Sequence, residues 1–129
     1  MNNTVSKVVK KYLENLKNDK DLSVLIFGSA LDSDWTSNSD IDLFLISDDL
    51  NTSVETREID GVILEIQKDN FQQLLSDMES ERGNIRNRNL STMIDSAHIV
   101  KVGKDDIDKL KAVAREILDS KTKYSPEDL

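Results

Sequence analysis

The chain has 129 residues, 37% of them hydrophobic, and a formal net charge of −8, which suits one domain with one core and argues against nucleic acid as a partner, because phosphate backbones are held by lysine and arginine. There are no cysteines, which excludes disulfides, thiolate zinc sites and thiol nucleophiles. Met1-Asn2-Asn3-Thr4 leads into no apolar signal region and no apolar run approaches spanning length, so the expectation is a cytoplasmic domain with no membrane contact.

Val5, Val8, Val9, Tyr12, Leu13 and Leu16 recur at helical spacing and predict an amphipathic helix over 3–18, ended by the turn chemistry of Asn18-Asp19-Lys20-Asp21. Residues 22–27 form a short apolar run rich in β formers, a buried strand ending at Gly28. Residues 29–39 are crowded with Ser, Asp, Thr and Asn and read as a loop with one helical turn at its start. A second strand is expected over 40–47. Two β-prone runs, 54–59 and 62–67, are joined by Asp60-Gly61, a strong two-residue hairpin signal. Asp69 stands where the N-cap of a helix belongs, ahead of Phe71, Leu74, Leu75 and Met78. After a polar stretch, Leu90, Met93, Ile94 and Ala97 suggest a further helix, residues 98–102 a short strand, and Ile107 to Leu118 a final helix. The order implies an α+β domain, one mixed sheet covered by helices, over residues 1–120. The tail, 121–129, carries no core pattern and is either a frayed end or the start of a further helical region.

The chemistry concentrates at two places. Asp40 and Asp42 flank Ile41 at the start of a predicted strand, where i and i+2 share a face. Adjacent carboxylates repel, and a hard divalent cation, Mg²⁺ or Mn²⁺, relieves that repulsion. Gly28-Ser29 closes the preceding strand; glycine lets the backbone approach a ligand, and N–H groups of a following turn, with the Ser29 hydroxyl, form a phosphate seat. A phosphate seat beside a metal pair is what phosphoryl-type transfer requires.

Gly28-Ser29, ten intervening residues and then Asp40-Ile41-Asp42 resemble the signature of the polymerase-beta-like nucleotidyltransferase superfamily. The resemblance is best over 22–67 and extends more loosely to small bacterial members, the minimal nucleotidyltransferases paired with HEPN-domain proteins and the antibiotic nucleotidyltransferases. It implies an α+β catalytic domain, an NTP donor (ATP is the expected one) and two divalent ions. Gly28 and Ser29 would contact the triphosphate and Asp40 and Asp42 would bind metal. Glu65, a charged residue inside an apolar strand, would be the third carboxylate, assisting the metal or acting as base toward the acceptor hydroxyl. The resemblance departs at Ala30, Asp32 and Ser33, where members often carry a basic residue and a glycine, and Asp34 adds to the negative charge of the loop.

Other residues have plainer readings. Glu65 could instead sit on the outward face of an edge hairpin, paired with Arg57 or Lys68. Arg82, Arg86 and Arg88 read first as a solvated face balancing nearby acids, and His98 as structural. Trp35 either stacks on a base or folds back onto the core. Ser29 has no histidine or lysine partner, which argues against a serine nucleophile. The expected activity is metal-assisted, in-line transfer of an NMP, AMP foremost, to a hydroxyl of a protein partner of the HEPN type, in the manner of an antitoxin. The alternatives are an aminoglycoside-like small acceptor, with the pocket completed by a homodimer mate, and an inactive nucleotide- or protein-binding domain.

Overall fold

The computed structural model describes residues 2–16 and 20–120. Helix α1, Asn3–Glu14, begins where the Asn2 side chain accepts the Thr4 N–H at 2.7 Å, and it buries Val5, Val8, Val9 and Tyr12 along one stripe. Parts of the expected turn after α1, and the tail, lie outside the described residues.

Five strands follow: β1 (Ser23–Phe27), β2 (Ile41–Ile46), β3 (Ser53–Ile59), β4 (Val62–Asp69) and β5 (His98–Lys101). They form one sheet in the order β3-β4-β2-β1-β5. The β2/β4 pair is parallel and the other pairs are antiparallel, so the sheet is mixed, as the element order implies. The β3–β4 connection is the expected two-residue turn. Asp60 and Gly61 both have positive φ, 54° and 79°, the backbone that lets a hairpin follow the twist of its strands.

Strand alternation divides the core in two. Val24, Ile26, Ile41, Leu43, Leu45, Leu64 and Ile66 face α1. Leu25, Phe44 and Ile46 face the other way, onto α2 (Phe71–Ser80), α3 (Asn89–Ser96) and α4 (Ile107–Asp119), which bury Leu74, Met78, Ile94, Leu110, Ala114 and Ile117 against them. Because the three helices gather on the β2–β1–β5 half of this face, its β4–β3 half stays open, and Val54 on β3 is 70% exposed there.

The cap of α2 is displaced by one residue from the sequence expectation. Asn70, not Asp69, accepts the N–H groups of Gln72 and Gln73. Asp69 is the last residue of β4, and its buried carboxylate accepts the Thr52 hydroxyl at 2.9 Å and the Asn70 N–H at 2.8 Å. Both residue types cap well; the strand runs on long enough to claim the first for the loop that follows β2. Helix α3 has no side-chain cap at its own first position. Glu81 instead reaches across to accept the N–H groups of Leu90 and Ser91.

Candidate active site

Gly28 ends β1 and opens a 3₁₀ turn, Gly28–Leu31. Its φ is +78°, and a Cβ placed on it would lie 3.0 Å from Asp42 Oδ2. Two independent constraints, backbone conformation and the neighbouring carboxylate, therefore require glycine. Ser29 is exposed beside it.

The register across the sheet assembles the rest. Phe27 of β1 stands opposite Asp42 of β2, Asp42 opposite Glu65 of β4, and Glu65 opposite Thr56 of β3. Direct partners share a face, so Phe27, Asp42, Glu65 and Thr56 form one row. The next row is Leu25, Phe44, Gln67 and Val54. A groove of about 370 Å³ lies over them, with Val54 and Gln67 at the open side and Met93 of α3 forming part of its wall.

Asp42 is pushed above the ordinary carboxylate range, first by burial, then by the charge of Asp40, then by that of Glu65. All three acids thus act on one point, although Asp40 precedes β2 and is exposed. Its carbonyl accepts the indole N–H of Trp35 at 3.2 Å. Glu65 is half-buried and accepts the Thr56 hydroxyl at 3.1 Å. Of the plainer reading of Glu65, the edge hairpin holds, since β3 is the outer strand, but the ion pairs do not: Arg57 and Lys68 are both engaged by Glu55.

The family of nucleotidyltransferase domains matches residues 6–124, nearly the whole chain and all of this constellation. The chain belongs to the nucleotidyltransferase domain family. Its fold is also that of a nucleotidyltransferase-like protein from Exiguobacterium sibiricum, with a TM-score of 0.60 at 15% sequence identity. That likeness covers 87% of this chain and 38% of the other, so this chain spans well under half the length of its structural neighbour. None of the curated proteins matches it.

Nucleotidyltransferase domains use an NTP and a divalent cation. Here the donor chemistry fits such an ion: oxygen donors from Asp42, Asp40 and Glu65, with Asp42 raised by burial and by its two acidic neighbours. Among the described residues no three acidic or histidine groups converge closely enough to hold an ion as they stand.

The remaining candidates are placed outside this chemistry. Arg82 pairs with Glu79 and Glu116 at 2.8 Å each. Arg88 donates to the carbonyls of Ile117, at the end of α4, and Arg82, a cationic cap on a helix C-terminus. Arg86 is exposed, and His98 is exposed at the start of β5. Trp35 has folded back onto the α1 side of the core. No helix among the described residues is long and apolar enough to cross a membrane.

Sequence reasoning did not single out Thr56. The signal was present, because a two-residue turn at 60–61 sets Ile59 opposite Val62 and, counting back, Thr56 opposite Glu65. Lys111 was also missed. Its ammonium donates to the carbonyls of Ile94, Asp95 and Ala97 at 2.7–3.0 Å, closing the end of α3 beyond Met93, and no local pattern announces a contact 14 to 17 residues away.

Proposed function

We propose that this domain transfers AMP from ATP to a hydroxyl of a protein partner, with Asp40, Asp42 and Glu65 holding Mg²⁺ or Mn²⁺ and Gly28 and Ser29 seating the triphosphate. The observation that carries the reading is the pairing of Asp42 with Glu65 across β2 and β4, with Gly28 packed so close that a Cβ there would lie 3.0 Å from the Asp42 carboxylate.

Gly28 brings the backbone against the acid end of β2, so phosphate oxygens seated at the turn would lie beside Asp42. Phe27, Val54 and Met93 give the groove its apolar walls. The acceptor oxygen forms a bond to the α-phosphorus, the bond from that phosphorus to the bridging oxygen of the β-phosphate breaks, and pyrophosphate leaves with that electron pair. The acceptor proton passes to Glu65, whose carboxylate Thr56 holds from the far side. A bound divalent ion neutralises phosphate charge and acidifies the acceptor hydroxyl.

A protein acceptor suits a groove that is open along β3. A HEPN-type partner or a second copy would cover that open side, where Val54 is 70% exposed. A second reading, a cationic small molecule of the aminoglycoside kind, is favoured by the acids Asp40, Asp42 and Glu65 gathered at the site.

The test is incubation with α-labelled ATP, Mg²⁺ or Mn²⁺ and each acceptor class in parallel. Label on the protein partner, lost in Asp42→Ala, is the expected result. Label on the aminoglycoside alone selects the second reading. Binding of ATP by calorimetry without transfer to either leaves a nucleotide-binding domain and overturns both.

A further inference from the structure

Between Gly28 and Ile41 the chain must bring the phosphate turn and the acid pair into register, and it does so through a loop with little core of its own. Of residues 32–40 only Trp35 is buried, at 5% exposure. The rest of the loop is held by short local contacts: the Ser39 N–H donates to the Thr36 carbonyl at 2.8 Å, and the others meet at Trp35. The Asp32 N–H donates to the Ser29 carbonyl at 3.0 Å, and the Trp35 N–H donates to the Asp32 carbonyl at 3.2 Å. The Trp35 indole N–H then donates to the Asp40 carbonyl at 3.2 Å. A continuous path of hydrogen bonds thus runs from Ser29 to Asp40, pinned in its middle by one aromatic ring.

The ring packs in the same core layer as Val5, Val8, Val9 and Ile41. Asp40 is therefore gripped twice, by the buried side chain of its neighbour Ile41 and by the indole at its carbonyl. Asp40 is exposed, so the backbone sets where its side chain leaves the loop. A phenylalanine or leucine would also give that place an apolar side chain, at the cost of some volume. What only tryptophan brings is an N–H that reaches a polar partner from inside an apolar layer, and the partner here is the residue whose carboxylate acts on Asp42.

We propose that Trp35 is a positioning residue for the metal carboxylates: its indole N–H fixes Asp40 beside Asp42 and couples that placement to the Gly28-Ser29 turn before any ligand arrives. This rests on the reading of Asp40 and Asp42 as metal-binding. Trp35 does not touch substrate; it removes the freedom of a loop that would otherwise have to be ordered at the cost of metal affinity.

The test uses Trp35→Phe, which keeps an aromatic ring and removes the N–H, with Val9→Ala as a control that thins the same core layer from α1. Mn²⁺ binding is read by electron paramagnetic resonance of the free ion, with and without a non-hydrolysable ATP analogue, and thermal stability by circular dichroism. Trp35→Phe is expected to weaken Mn²⁺ binding roughly tenfold, and Val9→Ala to bind as wild type even where its Tm falls further. Wild-type affinity in Trp35→Phe, or equal weakening in Val9→Ala, overturns the proposal. Asp42→Ala separates the two levels: if it binds Mn²⁺ as tightly as wild type, the metal reading itself falls and the role of Trp35 with it. A measurement on the unaltered protein holds even if Trp35→Phe fails to fold. The chain has a single tryptophan, so its indole N–H gives one assignable resonance. Slow exchange with solvent and early broadening by substoichiometric Mn²⁺ are expected, and an indole that exchanges freely or ignores the ion overturns the proposal.

Discussion

Strand β2 has an acid cluster at each end, and the two are alike in electrostatics and unlike in everything else. At its start Asp42 is raised by burial, Asp40 and Glu65. Just past its end Asp48 meets Asp105, which is raised by burial, by the charge of Asp48 and by a hydrogen bond to it, with Asp21 adding and Lys104 opposing. Asp105 is only 9% exposed, and its Oδ2 is buried without a donor. A hydrogen bond between the two acids requires that one of them keep its proton. The Asp42 cluster has a glycine pressed against it, an open groove above it and a hydroxyl steadying its third member. A perturbed carboxylate is thus no sign of chemistry by itself. What distinguishes the working end is room for a ligand and a backbone that lets one approach.

The contrast is sharpest in paired substitutions. Asp42→Asn is expected to lower nucleotidyl transfer by about 10³-fold or more, the scale of several kcal/mol of lost charge stabilisation, with no fall in Tm, because it also removes a repelled carboxylate. Asp105→Asn should leave transfer near wild type and raise Tm. Single-turnover assays beside thermal melts would decide, and a loss of transfer in Asp105→Asn comparable to that in Asp42→Asn would erase the difference drawn between the two ends.

Gly28→Ala should come next in size. The positive φ costs an L residue about 1–2 kcal/mol, and the added methyl meets Asp42 Oδ2 at 3.0 Å. Transfer is expected to drop roughly 10²-fold, the effect of displacing a reacting group by a fraction of its contact distance, with a lower Tm as well. An active Gly28→Ala protein would show that the carboxylate moves freely away from the turn.

The distal pair should be felt in pH rather than in rate. The folded pKa of Asp105 lies above its unfolded value, so the folded state binds the proton more tightly. Its contribution to stability is fully present below the unfolded pKa, about 4, and is lost as pH rises through the raised folded value. Urea unfolding in a pH series should show wild type losing stability relative to Asp105→Asn across that window, with parallel curves above it. Curves that stay parallel throughout would mean that Asp105 is solvated in the folded state.

How much of this was legible beforehand follows from the range of the interactions involved. The Gly28-Ser29 and Asp40-Ile41-Asp42 pattern, the hairpin at Asp60-Gly61 and the alternation of β2 are local, and each reads directly off the chain. The sheet order is not local. That β4 lies beside β2 in parallel, with Glu65 opposite Asp42, depends on β3 occupying the edge, and the candidacy of Glu65 came from its odd polarity in an apolar strand. Trp35 left two readings open because its fate depends on α1, some thirty residues earlier in the chain. The cap at Asn70 was missed by one position because two good capping residues stand side by side and strand length chooses between them.

The smallest expected effect tests the outermost member of the row of Phe27, Asp42, Glu65 and Thr56. Thr56 is exposed, and its hydroxyl gives Glu65 one hydrogen bond at 3.1 Å. Thr56→Val keeps the β-branched shape that suits a strand and removes only that bond, worth about 0.5–1.5 kcal/mol. Stability should fall by no more than that amount, and kcat should fall about two- to tenfold with little change in the KM for ATP, because Glu65 serves the acceptor side of the reaction in the mechanism above. A rise in KM for ATP with kcat intact would place Glu65 on the donor side, with the triphosphate, and would move the division between donor and acceptor sides one strand outward, to β3. No change in either constant would mean that the strand pairing with Asp42 holds Glu65 unaided, so that the working end of β2 is set by backbone register alone.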